Sequence, residues 1–263
     1  MSGIYSAKKI KVNSVFISDV HLGFPGCSAN FLLDFLRKVE CEKIYLVGDI
    51  IDLLYMRKRL YWPQQHNDVI RTLLGMAKHG TEVIYVPGNH DELMRGYTDT
   101  SFGNIIIKDE LIHTTADGKR LLVLHGDQFD SIVKNSRLMS ILGSNLYDYL
   151  LRANRIVNFV RHHLKLPYWS LAAAIKHKVK GAVNYISNFE TAVSQIAKQK
   201  NVDGLICGHI HRPEIRTINN ILYCNCGDWV ENCTALIENL DGSLEILHWT
   251  EEFESIKRIP IAA

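Results

Sequence analysis

The chain has 263 residues, 47% hydrophobic and 22% charged, with a formal net charge of +2, which is ample for a buried core. No run approaches the roughly 18 apolar residues a spanning helix needs, and Met1–Lys11 lacks an apolar h-region, so neither a membrane span nor a secretory leader is expected. Six cysteines without a paired framework suit a reducing cytoplasm.

Taken in order, Val12–Ser18 reads as a buried strand with Asp19 and His21 in the loop at its end. Phe31, Leu32, Phe35, Leu36 and Val39 recur at helical spacing, in a helix through Glu40 that Ser28 or Asn30 would cap. Lys43–Val47 is a second strand ending at Gly48-Asp49. A longer loop with Tyr55, Tyr61 and Trp62 leads to a helix near His66–His79. Glu82–Val86 is the third strand, and Asn89 follows it. This alternation predicts a layered α/β fold with its site at strand C-termini.

Beyond residue 104 the strands shorten: Ile105–Ile107, Leu111–Thr115, and Arg120–Leu124 running into His125. Strands return at Asp203–Cys207, Glu214–Ile218, Ile221–Asn225, Thr234–Glu238 and Ser243–Trp249, with hairpin turns at Asn219-Asn220 and Asp241-Gly242. Cys224-Asn225-Cys226 alternates as a buried strand does, which weighs against a thiolate metal pair. Residues 131–200 read as mostly helical with one proline, Pro167. They are expected to be a helical cap inserted into a core made of residues 1–130 and 201–263.

Five blocks share one layout, a β-type run followed at once by Gly, Asp, Asn or His. They are Asp19-Val20-His21, Gly48-Asp49-Ile50-Ile51-Asp52, Gly88-Asn89-His90-Asp91, His125-Gly126-Asp127 and Gly208-His209-Ile210-His211. Any one alone reads as a turn with a surface histidine. Five in order, each after a strand, outweigh that reading. Asp19, His21, Asp49, Asn89, His125, His209 and His211 then offer the ligands for two divalent metals side by side, with Asp49 as a bridge. Nitrogen and oxygen donors without thiolate favour Mn²⁺, Fe²⁺ or Zn²⁺ over Ca²⁺ or Mg²⁺. Such a pair primes water for attack on phosphorus. His90 is read as the catalytic imidazolium, held by Asp91 and facing the phosphoryl oxygens or leaving group. Asp52, Asp127 and Asp130 are read as carboxylates that orient ligand imidazoles. His66, His79, His113, His162, His163, His177 and His248 lack partners at ligand spacing and are expected on the surface or satisfied in the core.

Charge is unevenly spread. Residues 131–200 hold 11 of the 30 Lys and Arg but two of the 28 acidic residues, which makes the segment +9 and the remainder −7. A polyanionic partner or peripheral contact with a membrane surface follows from that. Arg152, Arg155, Lys176, Lys178 and Lys180 are candidates for substrate phosphates, beside Asn89. Tyr168-Trp169-Ser170 would line an entrance, and Leu138, Leu142, Leu146, Leu150, Ile156 and Phe159 would form an apolar slot. Aromatic residues are not interleaved with the basic ones, so nucleic acid is the weaker partner. The sequence carries no signal for an oligomeric state.

The order Asp-x-His, Gly-Asp-x-x-Asp, Gly-Asn-His-Asp, His, Gly-His-x-His, spread over residues 16–211, resembles the calcineurin-like metallophosphoesterases. The resemblance implies a four-layer α-β-β-α sandwich. It also implies one metal held at Asp19, His21, Asp49 and His211, and the other at Asp49, Asn89, His125 and His209. Length, the helical insertion and the stretch Asn225–Glu231 look like the UDP-2,3-diacylglucosamine pyrophosphatases. Those enzymes cleave a diacylated sugar nucleotide in lipid A synthesis, commonly with Mn²⁺, and release UMP and lipid X. Their best-known members carry Gly-Asn-Arg-Asp where this chain has Gly-Asn-His-Asp. The alternatives are a phosphoesterase of soluble phosphodiesters or nucleotides, and a non-catalytic metal-binding scaffold.

Overall fold

The computed structural model describes residues 9–128, 158, 161, 192 and 194–249, and the backbone of 257–259. Most of the expected cap, with Asp130, Arg152, Arg155, Ser170, Lys176, Lys178 and Lys180, lies outside them.

Strand periodicity builds the layers. In β2 (Val39–Val47), Ile44 and Leu46 enter one apolar cluster while Tyr45 and Val47 enter another. β3 (Glu82–Val86) divides in the same way, with Val83 and Tyr85 against Ile84 and Val86. β7 (Arg120–Leu124) sends Leu121 and Val123 into that second cluster and Leu122 and Leu124 into a third. A strand shows alternate residues to opposite faces, so three clusters threaded by such strands require two sheets with an apolar layer on each outer side.

The outer layer of the first sheet is helical. α1 (Ala29–Lys38) buries Leu32, Leu33, Phe35 and Leu36, and α3 (Gln64–Lys78) buries Val69, Leu73 and Ala77 in the same cluster. Arg37 and Lys38 close α1 where cations suit the dipole, and Val39 turns at once into β2. Beyond the second sheet, residues 194–199 are helical, and Ala197 packs with Leu205, Ile221 and Tyr223. This last part of 131–200 thus covers the second sheet as the fourth layer. The architecture is α-β-β-α.

Among the described residues, eight strands form the first sheet. β1 (Ile10–Ile17) sits centrally, parallel to β2 and antiparallel to β11 (Thr234–Glu238); β12 (Leu244–His248) and β13 (Lys257–Ile259) follow beyond β11. On the other side β3 pairs parallel with β5 (Ile105–Ile107), and β4 (Ser101–Phe102) forms the edge. The second sheet runs β6 (Glu110–Thr114), β7, β8 (Gly204–Cys207), β10 (Ile221–Asn225) and β9 (Glu214–Ile218). Within it β7, β8 and β10 are parallel. The parallel strands therefore deliver their C-termini to one rim, where α/β sheets place their sites.

Two local elements depart from the expected loops. Residues 53–58 form a short helix, α2 (Leu53–Lys58), started by the Asp52 carboxylate accepting from Tyr55 N–H at 2.8 Å. It buries no residue, so no apolar rhythm marks it. Glu92–Tyr97 form a 3₁₀ turn after the Asn89 loop. Between the sheets, His113 is buried and bonded on both sides, at 2.8 Å to Tyr45 Oη and 2.8 Å to Glu238 Oε2. None of the described helices is long and apolar enough to cross a membrane.

Candidate metal centre

Each strand of the rim contributes one piece. Asp19 and His21 follow β1, Asp49 follows β2, Asn89 follows β3, His125 follows β7, and His209 and His211 follow β8. Residues separated by nearly two hundred positions in sequence thus meet in one place. Asp49 Oδ2 lies 3.5 Å from His125 Nε2 and 3.9 Å from His21 Nε2. His211 Nε2 is 3.1 Å from Asp19 Oδ1. His209 donates its backbone N–H to Asp19 Oδ2 at 2.9 Å, and its ring centroid is 5.2 Å from that of His125. Three overlapping groups bring their donor atoms within 4.8 Å of one another: Asp19 with His21 and His211, His21 with Asp49 and His90, and Asp19 with Asp49 and His125. Asp49 stands between the two halves, as a bridging carboxylate must.

The backbone is strained to achieve this. Asp19, His21, Asp49, His209 and His211 all have φ between 52 and 69°, a left-handed conformation that non-glycine residues avoid. Two glycines make room. A Cβ at Gly88 would meet Asp49 Oδ1 at 2.2 Å, and one at Gly48 would meet His125 Nδ1 at 2.1 Å. Side chains of the site occupy the space that any larger residue at either position would need.

The donor set fits divalent cations. Among the described residues, His21 Nε2, Asn89 Oδ1 and His125 Nε2 are buried without a hydrogen-bond partner. A buried polar atom left unpaired costs about 1–3 kcal/mol, and three in one cluster signal a ligand that satisfies them. The opposite ring edges are tied. His21 Nδ1 pairs with Asp52 Oδ2 at 3.1 Å, and His125 Nδ1 donates to the Val47 carbonyl at 2.9 Å, which orients each free Nε2.

Without metal, protons hold the charge together. Burial pushes the His125 imidazole down, but the adjacent Asp49 outweighs it and raises the group to about 10. Burial likewise opposes the charge on His21, which its bond to Asp52 and the nearby Asp49 raise to about 9. Burial would raise Asp19, yet the His211 imidazole overcomes it and holds the carboxyl at about 2. Both raised histidines stabilise the metal-free fold fully below about pH 6.5, and that contribution fades as pH climbs through 9 to 10. Cations must displace these protons. Loading the stripped protein at pH 7 is therefore expected to release roughly two protons per chain, read by calorimetry in buffers of different ionisation enthalpy. Apparent metal affinity should rise with pH across 6–9. Equal heats in all buffers would contradict this.

Two expected roles need correction. Asp91 does not hold His90. Its carboxylate is fully buried and accepts the N–H groups of Asp49, Ile50, Ile51 and Gly88 and the Tyr85 hydroxyl. It locks the loop after β3 onto the loop after β2. His90 Nδ1 instead pairs with Asp52 Oδ1 at 2.8 Å, and its Nε2 lies 4.0 Å from Asp49 Oδ2. Asp52 thus touches two imidazoles while capping α2, and both partners keep it well below the usual carboxylate range. Asp127 is bonded, among the described residues, to Arg95 of the 3₁₀ turn, which donates to both its oxygens at 2.8 Å, and it acts on the His125 imidazole through its charge alone. Two contributors escaped sequence reasoning. Asp228 is buried, with Oδ2 4.0 Å from His211 Nδ1, and Asn232 Nδ2 donates to the His211 carbonyl at 3.0 Å. The first lies within the stretch Asn225–Glu231 that the sequence marked without assigning roles.

A model of the calcineurin-like phosphoesterases matches residues 13–213. The chain belongs to that family. A protein from Aliivibrio fischeri (strain MJ11), named UDP-2,3-diacylglucosamine hydrolase, is 25% identical over 239 residues, covering 84% of this chain and 92% of its own. One of the same name from Neisseria gonorrhoeae (strain ATCC 700825 / FA 1090) is 28% identical over 247 residues, with 87% and 94% covered. Among solved structures, the phosphoesterase Yfce from E. coli is similar at 17% identity and a TM-score of 0.47, covering 95% of this chain and 99% of its own. Calcineurin-like phosphoesterases are metal-dependent hydrolases, and this chain is one by its family and its assembled donors.

Proposed function

We propose that this hydrolase cleaves the pyrophosphate bond of UDP-2,3-diacylglucosamine or a closely similar lipid-linked sugar nucleotide, in lipid A synthesis, and releases UMP and lipid X. The observation that carries this reading is the shared name of relatives that match this chain over more than nine-tenths of their own length. The +9 segment at 131–200, rich in leucine and isoleucine, supplies the composition for a diacylated, doubly phosphorylated substrate and for contact with the cytoplasmic face of a membrane.

Asp19, His21, Asp49 and His211 would hold one cation and Asp49, Asn89, His125 and His209 the other, with Mn²⁺ suited to such mixed donors. Bound divalent metals supply Lewis acidity and a water of lowered pKa. The chain's own residues do the rest. Asp52 fixes Nδ1 of His90, which leaves Nε2, 4.0 Å from Asp49 Oδ2, to give its proton to the departing phosphate oxygen. Asp91 keeps the two loops at a fixed separation.

His90 stands where the best-known pyrophosphatases of this group carry arginine, and that favours a second reading, a phosphoesterase of soluble phosphodiesters or nucleotides. Purified protein with Mn²⁺ is expected to release UMP from UDP-2,3-diacylglucosamine faster than it turns over simple nucleotides, nucleotide sugars or bis(p-nitrophenyl) phosphate. The opposite order of rates would replace the first reading with the second.

A further inference from the structure

A cavity of about 430 Å³ opens where the first turns of α1 and α3 converge, and it falls in the roughly 300–1,000 Å³ range of small-molecule sites. Ser28, Ala29, Asn30, Gln65 and His66 line it, with Tyr61 among its apolar walls. Neither helix has a side-chain cap on its first amides, and neither has an acidic residue in its first turn. The N–H groups of Ala29, Asn30 and Gln65 find no acceptor among the described residues. Two bare helix starts present positive partial charge and free donors to one space.

The second observation comes from His66. The residue is 3% exposed and lines the cavity. Its Nδ1 accepts the Gly23 N–H at 2.9 Å, so its ring proton sits on Nε2. Nε2 has no hydrogen-bond partner among the described residues. The Tyr61 and Trp62 rings flank the imidazole at centroid distances of 5.6 and 5.7 Å. A buried residue of the lining thus carries a ring N–H without a partner among the described residues, beside three amides in the same condition and with no carboxylate in the lining; such a set calls for an acceptor that can take several donors at once.

We propose that this cavity is a second binding site, for the oxyanion of a phosphoryl group. Helix N-termini bind phosphate through free amides and their dipole, and here two of them act together with His66. The site is coupled to the metal loops by backbone bonds: Gly23 lies two residues beyond His21, Ser28 N–H donates to the Trp229 carbonyl at 2.7 Å, and Trp229 N–H donates to the Asp19 carbonyl at 3.1 Å. An anion seated there braces the Asp19–His21 loop from behind. The phosphoryl group has two sources, an organophosphate substrate or free inorganic phosphate. The site stands whether or not the substrate carries lipid.

The test uses full-length protein stripped of metal, titrated with inorganic phosphate against chloride of equal ionic strength, and followed by thermal unfolding and calorimetry. Phosphate is expected to raise the melting temperature saturably. Gln65→Glu and Asn30→Asp each put a carboxylate at a helix start, where it suits the helix itself but opposes an anion. They should weaken phosphate binding by about tenfold or more while leaving the unliganded melting temperature unchanged or higher. Absence of a saturable phosphate effect in the native chain, or an equal effect in both variants, overturns the site. The metal-loaded enzyme then separates the sources. A raised KM with unchanged kcat in Gln65→Glu assigns the position to the substrate's own phosphoryl group. An unchanged KM with phosphate protection lost assigns it to free phosphate.

Discussion

Asp49→Asn is expected to lower turnover by about three orders of magnitude or more, since a Lewis-acid pair worth several kcal/mol goes with the bridge. The change keeps the side chain's volume, so loss of activity cannot be laid to a cavity. Asp49 Oδ2 lies 3.5 Å from His125 Nε2 and 3.9 Å from His21 Nε2, and an amide there cannot balance two cations. Metal analysis should fall from about two equivalents to one or fewer. A second consequence is internal to the chain: His125, raised to about 10 by that carboxylate, should lose much of its affinity for a proton, which NMR titration of the stripped protein would show. A variant that keeps two metals and native turnover would remove Asp49 from the centre of the site.

His90→Ala should behave differently. Its imidazole is held by Asp52 at the edge of the cluster, with a third of the side chain exposed, whereas His125 is wholly buried. The expected result is unchanged metal content with kcat lowered by roughly 10²–10⁴, the scale of a lost general acid. A substrate with a good leaving group should be spared most of the loss. If one metal equivalent disappeared instead, His90 would be a ligand, as its 4.0 Å approach to Asp49 Oδ2 allows.

The chain positions of most strands, and the strand ends at which the seven candidate ligands stand, were legible because both rest on local pattern. Alternating apolar residues fix which face of β2 or β7 is buried, and glycine next to Asp or His marks where such a strand must stop. Partnerships across loops were not legible. Asp91 adjoins His90 in the chain, which suggested a pair, yet its carboxylate turns to the N–H groups of residues 49–51, some forty positions upstream. No spacing rule carries that contact. Asp52 was read as orienting a ligand imidazole, but its hold on His90 depends on α2 starting at that residue, and α2 has no buried face to announce it. Asp127 was assigned to the histidines on proximity alone, and Arg95 claims it through a 3₁₀ turn that sequence rhythm does not mark. The helix ending at residue 199 was grouped with the basic insert because it shares its composition, while Ala197 places it against the second sheet.

The left-handed backbone at five of the donor residues has a price in folding. Each such conformation costs on the order of 1–3 kcal/mol, a large part of the 5–15 kcal/mol by which a whole domain is ordinarily stable. Cations bound by the native form alone return that energy by mass action. How well this polypeptide endures heat or proteases is therefore governed by the ions in its surroundings as much as by its apolar interior. Chelation would loosen the rim before it disturbed the sheets.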